Sequence, residues 1–87
     1  MSFNYSHLNA NGANTVSPNP CALHSVTINT KGAAANVLTL ADGATTLAVI
    51  DTVAPLGPVL LYDVQCKTGL TATLATGTAA DVTIAFG

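Results

Sequence analysis

Few residues of this 87-residue chain carry side chains suited to acid–base, nucleophilic or metal chemistry. Charged residues make up 7% of the sequence, and the acids are four aspartates. General acid–base catalysis needs two groups that converge in a cleft with separated pKa values. Asp42 lies in a predicted turn and Asp81 begins a predicted strand, while Asp51 and Asp63 could approach each other only across a pair of strands. We therefore interpret all four as solvated turn and strand-end residues.

Two cysteines and two histidines could in principle bind zinc. Cys21 and His24 have the spacing of a ligand pair, and His7 with Cys66 would complete a set of four. Structural zinc sites normally use two close pairs on tight loops, whereas here one pair is close. On a strand, moreover, Cys21 and His24 would point to opposite faces. Calcium would require a loop of clustered acidic ligands, and the sequence has none. We expect no metal and no cofactor.

The sequence also offers no nucleophile with a base beside it. Ser25 follows His24, but adjacent strand residues point apart, so they cannot form a catalytic pair. G-x-S-x-G, P-loop and dinucleotide-binding motifs are absent. We predict that the protein is not an enzyme. Cys21 and Cys66 are interpreted as small buried hydrophobic residues in preference to a disulfide, since disulfide-stabilised small domains usually have four or more cysteines. A disulfide between them remains the alternative.

Charge and hydropathy exclude two classes of partner. Two lysines, no arginine and a net charge of -2 leave no basic patch for nucleic acid or an anionic membrane surface. The longest strongly apolar run, Val59 to Tyr62, is far shorter than the roughly 20 residues of a membrane-spanning helix. The N-terminus lacks the basic and apolar regions of a secretory signal. We expect synthesis in a cytoplasm, with no nucleic acid and no membrane as partner.

The first 20 residues differ in composition from the rest of the chain. They contain five of the seven asparagines and two prolines, which favour turns and irregular structure. Spaced apolar residues interrupt this polar stretch. We predict an extended N-terminal arm over residues 1–20 that lies across a neighbouring subunit. Its expected contact residues are Phe3, Tyr5, Leu8 and Val16.

Residues 21–87 are predicted to form a β domain. Alternating apolar and polar residues, separated by turn signals, predict six strands at 22–30, 36–41, 46–52, 59–65, 70–75 and 81–86. Asp42-Gly43 predicts a hairpin with a type I′ turn. On the first strand, His24, Val26 and Ile28 are expected to share one face. These patterns predict an all-β fold, a small antiparallel β-sandwich of jelly-roll type, with a small barrel as the alternative because the sequence does not fix strand order.

The edges of such a fold need protection. Natural sheets commonly use lysine and other charges to block edge-to-edge pairing, and this chain has few charges. We therefore expect ordered oligomerisation, as a dimer or trimer, to cover the edges.

Several stretches resemble small virion structural proteins of tailed bacteriophages. They are Leu23–Thr30, Leu38–Ala44, Ile50–Thr52, Tyr62–Val64, Gly69–Thr71 and Asp81–Ile84. The resemblance covers residues 22–87 and is one of pattern and composition. It implies a capsid cement or decoration protein, made in the host cytoplasm, that sits on the capsid surface and bridges major capsid proteins. The alternative is a fibre or tail component that binds glycans, for which Tyr5 and Tyr62 are the candidate aromatic residues.

Overall fold

The computed structural model describes residues 4–87, which form eight β-strands and no helix. The strands are β1 (Asn4–Leu8), β2 (Gly12–Ser17), β3 (Cys21–Thr30), β4 (Val37–Asp42), β5 (Thr45–Asp51), β6 (Val59–Cys66), β7 (Leu70–Ala75) and β8 (Asp81–Phe86). The all-β prediction is confirmed, but the predicted number of six strands is wrong. Both additional strands come from the segment predicted as an arm, within which Phe3 lies outside the described residues.

The strands form two four-stranded sheets in which every pairing is antiparallel. The first sheet has the order β1-β8-β3-β6, and the second has the order β2-β7-β4-β5. The two sheets enclose one apolar core, so the chain has a sandwich-like architecture. β1 and β2 each pair with a strand from the C-terminal third of the chain, β8 and β7 respectively. The N-terminal segment is thus an integral edge of both sheets.

The core is built from inward-facing residues of the strands. The alternation that predicts β4, β7 and β8 is seen directly in their burial, since buried residues alternate with partly buried ones over most of each strand. Leu8 of β1 is buried with them, and Val16 of β2 packs against this cluster. The largest fully buried apolar side chains are Leu23, Leu38, Leu40, Leu70, Leu74, Ile84, Val26 and Val82.

The register of β3 departs from simple alternation near His24. Its pairing with both neighbouring strands shifts between Leu23 and Ser25. Such a bulge changes which side chains share a face. As a result Leu23 is buried together with Val26 and Ile28, while His24 is only partly buried. The expectation that His24 shares a face with Val26 and Ile28 is therefore wrong.

The predicted hairpin between β4 and β5 is present, but its turn lies one residue later than expected. Asp42 pairs with Thr45 at the end of the ladder, so the two turn residues are Gly43 and Ala44. Gly43 has a left-handed backbone with φ of 58°, which glycine adopts without a steric penalty. Ala44 has no positive φ, so the turn is not of type I′.

At one end of the sandwich, four connections meet around the buried side chain of Asn36. Its amide nitrogen donates to the β1–β2 connection and to the end of β7, and its amide oxygen accepts from the segments before β6 and β8. The backbone of Gly32 also lies close to the Asn36 and Thr52 side chains. A Cβ at Gly32 would lie 2.5 Å from the Thr52 hydroxyl and 2.7 Å from the Asn36 Cβ. The contacts of Asn36 are with Asn11, Thr52, Ala75, Thr76 and Ala80.

Candidate interaction surface

Both histidines are paired with aspartates of the first sheet. His24 Nδ1 lies 2.6 Å from an oxygen of Asp63, and His7 Nε2 lies 2.5 Å from an oxygen of Asp81. In each pair the two residues are far apart in sequence, so no local sequence motif indicates that they are in contact. The bulge at His24 brings it opposite β6, where Asp63 has a left-handed backbone with φ of 50°. Neither pair is predicted from the sequence pattern.

The pair at Asp81 belongs to a small polar cluster. The Asn29 side chain donates to the Asp81 carboxylate and reaches the Thr83 hydroxyl, both at 3.0 Å. Hydrogen bonds from Asn29 and then from His7 lower the pKa of Asp81. Within residues 4–87, no group of three or more His, Cys, Asp and Glu side chains is arranged to hold a metal ion. In chemical terms these pairs place an imidazole and a carboxylate together at the protein surface.

A different region carries the exposed apolar side chains. Leu56 is fully exposed, and Leu61 and Val49 expose about 70% of their surface. They lie on β5, on the connection that follows it and on β6, so one continuous stretch of chain supplies them all. We call this region the β5–β6 surface; it comprises Val49, Val53, Leu56, Val59 and Leu61.

The sandwich opens beside this surface. A cavity of about 300 Å³ is lined by β5, by the 52–58 connection and by Leu60 and Tyr62 of β6. A second cavity of about 290 Å³ lies on the other side of Pro55, next to Ile28 and Lys31. Since β5 and β6 are edge strands of different sheets, the first cavity lies where the two sheets separate. The β5–β6 surface therefore combines exposed apolar side chains with an apolar groove.

Most of the length of the two edge strands carries no charge to oppose pairing; the charged residues are Asp51 at the end of β5 and Asp63 in β6. From Thr45 to Ile50 on β5 and from Val59 to Tyr62 on β6, no residue is charged. Along the outer side of an edge strand the backbone N–H and C=O groups have no strand partner in their own sheet, which makes the edge a template for another strand. Contact with another protein at this place would satisfy backbone groups and bury apolar side chains together.

The residues predicted as arm contacts have different positions. Leu8 is buried in the protein's own core, and Val16 packs against that core. They are held by their own subunit and do not present a free apolar surface to a neighbour. Tyr5 is 75% exposed on the edge strand β1, so its side chain is open to a partner. Phe3 lies outside the described residues.

Sequence reasoning did not single out the β5–β6 surface as a site, although its signal is present. Pro55, Gly57 and Pro58 mark a rigid connection, and Val53 and Leu56 stand beside them without an alternating pattern to place them in a core.

Comparison of the chain with protein-family models and with curated proteins finds no match. Among residues 4–87 there is no helix long and apolar enough to cross a membrane.

Proposed function

We propose that the protein is a non-enzymatic structural subunit of a virion, a cement or decoration protein that binds the outer capsid surface and stabilises it. The observation that carries this proposal is the β5–β6 surface. Several large apolar side chains are exposed along this one stretch of chain, and exposed apolar surface of this kind typically marks an interaction site. The neighbouring edge strands add backbone groups that a partner strand can pair with.

The strand order supports a jelly-roll assignment. A jelly roll has eight strands in two sheets joined by two Greek keys, and the orders β1-β8-β3-β6 and β2-β7-β4-β5 are compatible with that arrangement. Jelly rolls are common in viral capsid proteins and in lectins. The fold alone does not distinguish a capsid role from a lectin role, so the proposal depends on the β5–β6 surface.

The proposed partners are the major capsid protein and further copies of this chain, as a dimer or trimer. Tyr5 on β1 and Leu61 on β6 lie on opposite edge strands of the first sheet. One subunit thus has two separate contact regions, which is what a protein bridging its neighbours on a capsid surface requires. We place the protein on the virion surface after synthesis in the host cytoplasm.

Co-sedimentation with capsids of the encoding virus, prepared without this protein, tests the proposal. We expect the double variant V53S/L56S to bind at least tenfold more weakly than the parent. Both side chains are exposed, so the fold should be preserved. The matched control is Ala44→Ser in the exposed β4–β5 turn, away from the 52–58 connection, which should bind normally. If V53S/L56S binds capsids as tightly as the parent protein does, or if the parent protein does not bind them, the assignment is refuted.

The groove favours one second candidate, a glycan-binding fibre or tail component. The Tyr62 ring lines the groove together with Asp51, which gives an aromatic surface beside a carboxylate. A glycan array would distinguish the two functions. Specific binding that is lost in Tyr62→Ala and retained in Tyr5→Ala would favour the glycan site, whereas no binding to the array would leave the capsid proposal.

A further inference from the structure

The two cysteines face each other across the first sheet. Cys21 is the first residue of β3, and Cys66 is the last residue of β6. The two residues are direct partners in the antiparallel register. Both are free thiols and both are buried. Directly opposed residues of an antiparallel pair project to the same side of the sheet, so the thiols face each other inside the sandwich.

The geometry of such a pair suits a disulfide. Opposed residues in antiparallel strands have Cα atoms about 4.5 or 5.5 Å apart, depending on whether they exchange hydrogen bonds. Disulfides span Cα separations of about 4.4–6.8 Å, so either arrangement is within range. Closing the bond requires the Cβ atoms to approach by about 0.7–1.7 Å. Both residues stand at strand ends, where local opening costs least.

We propose that Cys21 and Cys66 are an oxidation site, at which the folded protein forms an intramolecular disulfide when it meets a disulfide oxidant such as oxidised glutathione. The Cys21 thiolate attacks one sulfur of glutathione disulfide, forms a mixed disulfide and releases one glutathione thiolate. Cys66 then loses its proton to solvent and attacks the Cys21 sulfur, which releases the second glutathione thiolate. Two protein thiols are oxidised, and one glutathione disulfide is reduced to two thiols.

The environment of the thiols sets the order of these steps. Burial, and then the neighbouring Cys21, raise the pKa of the Cys66 thiol to about 11. Cys66 is completely buried, whereas Cys21 retains a small exposed fraction. The oxidant therefore reaches Cys21 first, and Cys66 acts as the resolving thiol. Because the attacking species is a thiolate, the reaction should be slow at neutral pH and faster at alkaline pH.

The bond would tie the edge strand β6 to β3, an inner strand of the first sheet, and would close the long loop of chain between the two cysteines. Closing a long loop lowers the entropy of the unfolded chain, and the stabilisation grows with loop length. Reducing compartments hold a cysteine pair as two thiols, and oxidising compartments favour the disulfide. The inference is independent of the proposed function, since it depends only on the two residues and their register.

In the experiment, the whole folded protein is incubated with glutathione disulfide at pH 7 and at pH 9, without denaturant. The remaining free thiols are then alkylated, and the mass of the protein is measured by mass spectrometry. We expect the monomer to lose two hydrogens, to do so faster at pH 9, and to yield a Cys21–Cys66 linked peptide on non-reducing digestion. The oxidised form should melt about 10 °C or more above the reduced form. Dithiothreitol should restore the original mass and melting temperature.

Two single variants provide matched controls. Cys66→Ala should stop at the mixed disulfide, with one glutathione on Cys21, while Cys21→Ala should react far more slowly. Disulfide-linked dimers, a mixed disulfide that persists on the parent protein, or oxidation that occurs only in urea would each overturn the proposal.

Discussion

Asn36 is a buried polar residue whose amide contributes several hydrogen bonds at once. Its nitrogen lies 2.9 Å from the Asn11 amide oxygen and also donates to two backbone carbonyls at the end of β7. Its oxygen accepts from the Thr52 hydroxyl at 2.7 Å and from the Ala80 N–H at 3.1 Å. Unpartnered polar groups in a protein interior are costly, so this single side chain stabilises four chain connections together.

Replacing Asn36 with alanine should therefore destabilise the protein strongly. The change removes these hydrogen bonds and leaves the Ala80 N–H and the Thr52 hydroxyl in a buried site with fewer partners. We expect a loss of about 3 kcal/mol or more in the free energy of unfolding, measured by urea titration. Asn19→Ala, at an exposed position, is the control and should change it by less than about 0.5 kcal/mol. A loss below about 1 kcal/mol for Asn36→Ala would contradict the role assigned to the amide.

The role of Asn36 was beyond prediction from the sequence. An asparagine at the start of a predicted strand is ordinary, and its partners come from parts of the chain between 16 and 44 residues away. The two His–Asp pairs were missed for the same reason, since a pair across strands leaves no trace in local spacing. By contrast, residues that follow an alternating pattern, such as Leu38, Leu40, Val82 and Ile84, are buried, as the period of a strand requires.

At the scale of elements, Asp42 joins two hairpins. It ends β4, and its carboxylate accepts hydrogen bonds from backbone N–H groups of the β6–β7 turn. The distances are 2.9 Å from Lys67 and 2.8 Å from Thr68, with a longer bond of 3.3 Å from Gly69. The bonds from Lys67 and Thr68 lower the pKa of Asp42, because donors stabilise the charged form.

The hydrogen bonds to the ionised Asp42 carboxylate make the stability of the fold depend on pH. A carboxyl group with a lowered pKa in the folded state contributes stability above its ordinary pKa of 3.8, and that contribution is lost as the pH falls through the folded value. The melting temperature should therefore decrease as the pH is lowered from 5 to 2, an interval of about three units around that value. Asp42→Asn should melt lower than the parent at pH 7.

The difference between Asp42→Asn and the parent should shrink steadily as the pH falls below about 4. Asp81, whose pKa is also lowered, makes a second contribution of the same sign, so Asp81→Asn is the matched comparison. Thermal melts followed by circular dichroism across this range provide the measurement. A constant difference between Asp42→Asn and the parent at every pH would show that the ionised carboxylate is not the stabilising form.

The six strands from β3 to β8 were predicted from the sequence to within a residue at either end, because their inner faces carry alternating apolar residues. β1 and β2 were not predicted. Each is a short edge strand rich in polar residues, and β1 buries only Leu8 fully. Neither strand carries a sustained alternation of apolar residues, so its composition resembles that of a loop.

Strand order belongs to the whole molecule. The chain crosses from one sheet to the other at every connection except the β4–β5 hairpin, and β1 meets β8 while β2 meets β7. These partners are brought together by burial of a shared core, which no local pattern encodes. The same topology leaves β5 and β6 as neighbouring edges of different sheets. The apolar residues of the β5–β6 surface can therefore be recognised as one region only once the strand order is known.

A charge placed on β6 tests whether this arrangement drives assembly. Leu61 is 71% exposed on the edge strand, so lysine at this position should alter the free energy of unfolding by no more than about 0.5 kcal/mol. Lysine on an exposed edge opposes pairing with another strand. We expect Leu61→Lys to weaken self-association at least tenfold in sedimentation velocity, which corresponds to about 1.4 kcal/mol. Thr15→Lys, on the exposed side of edge strand β2, carries the same charge and should assemble like the parent. Equal loss in both variants would mean that net charge controls assembly, and no loss in Leu61→Lys would exclude the β6 edge as the interface.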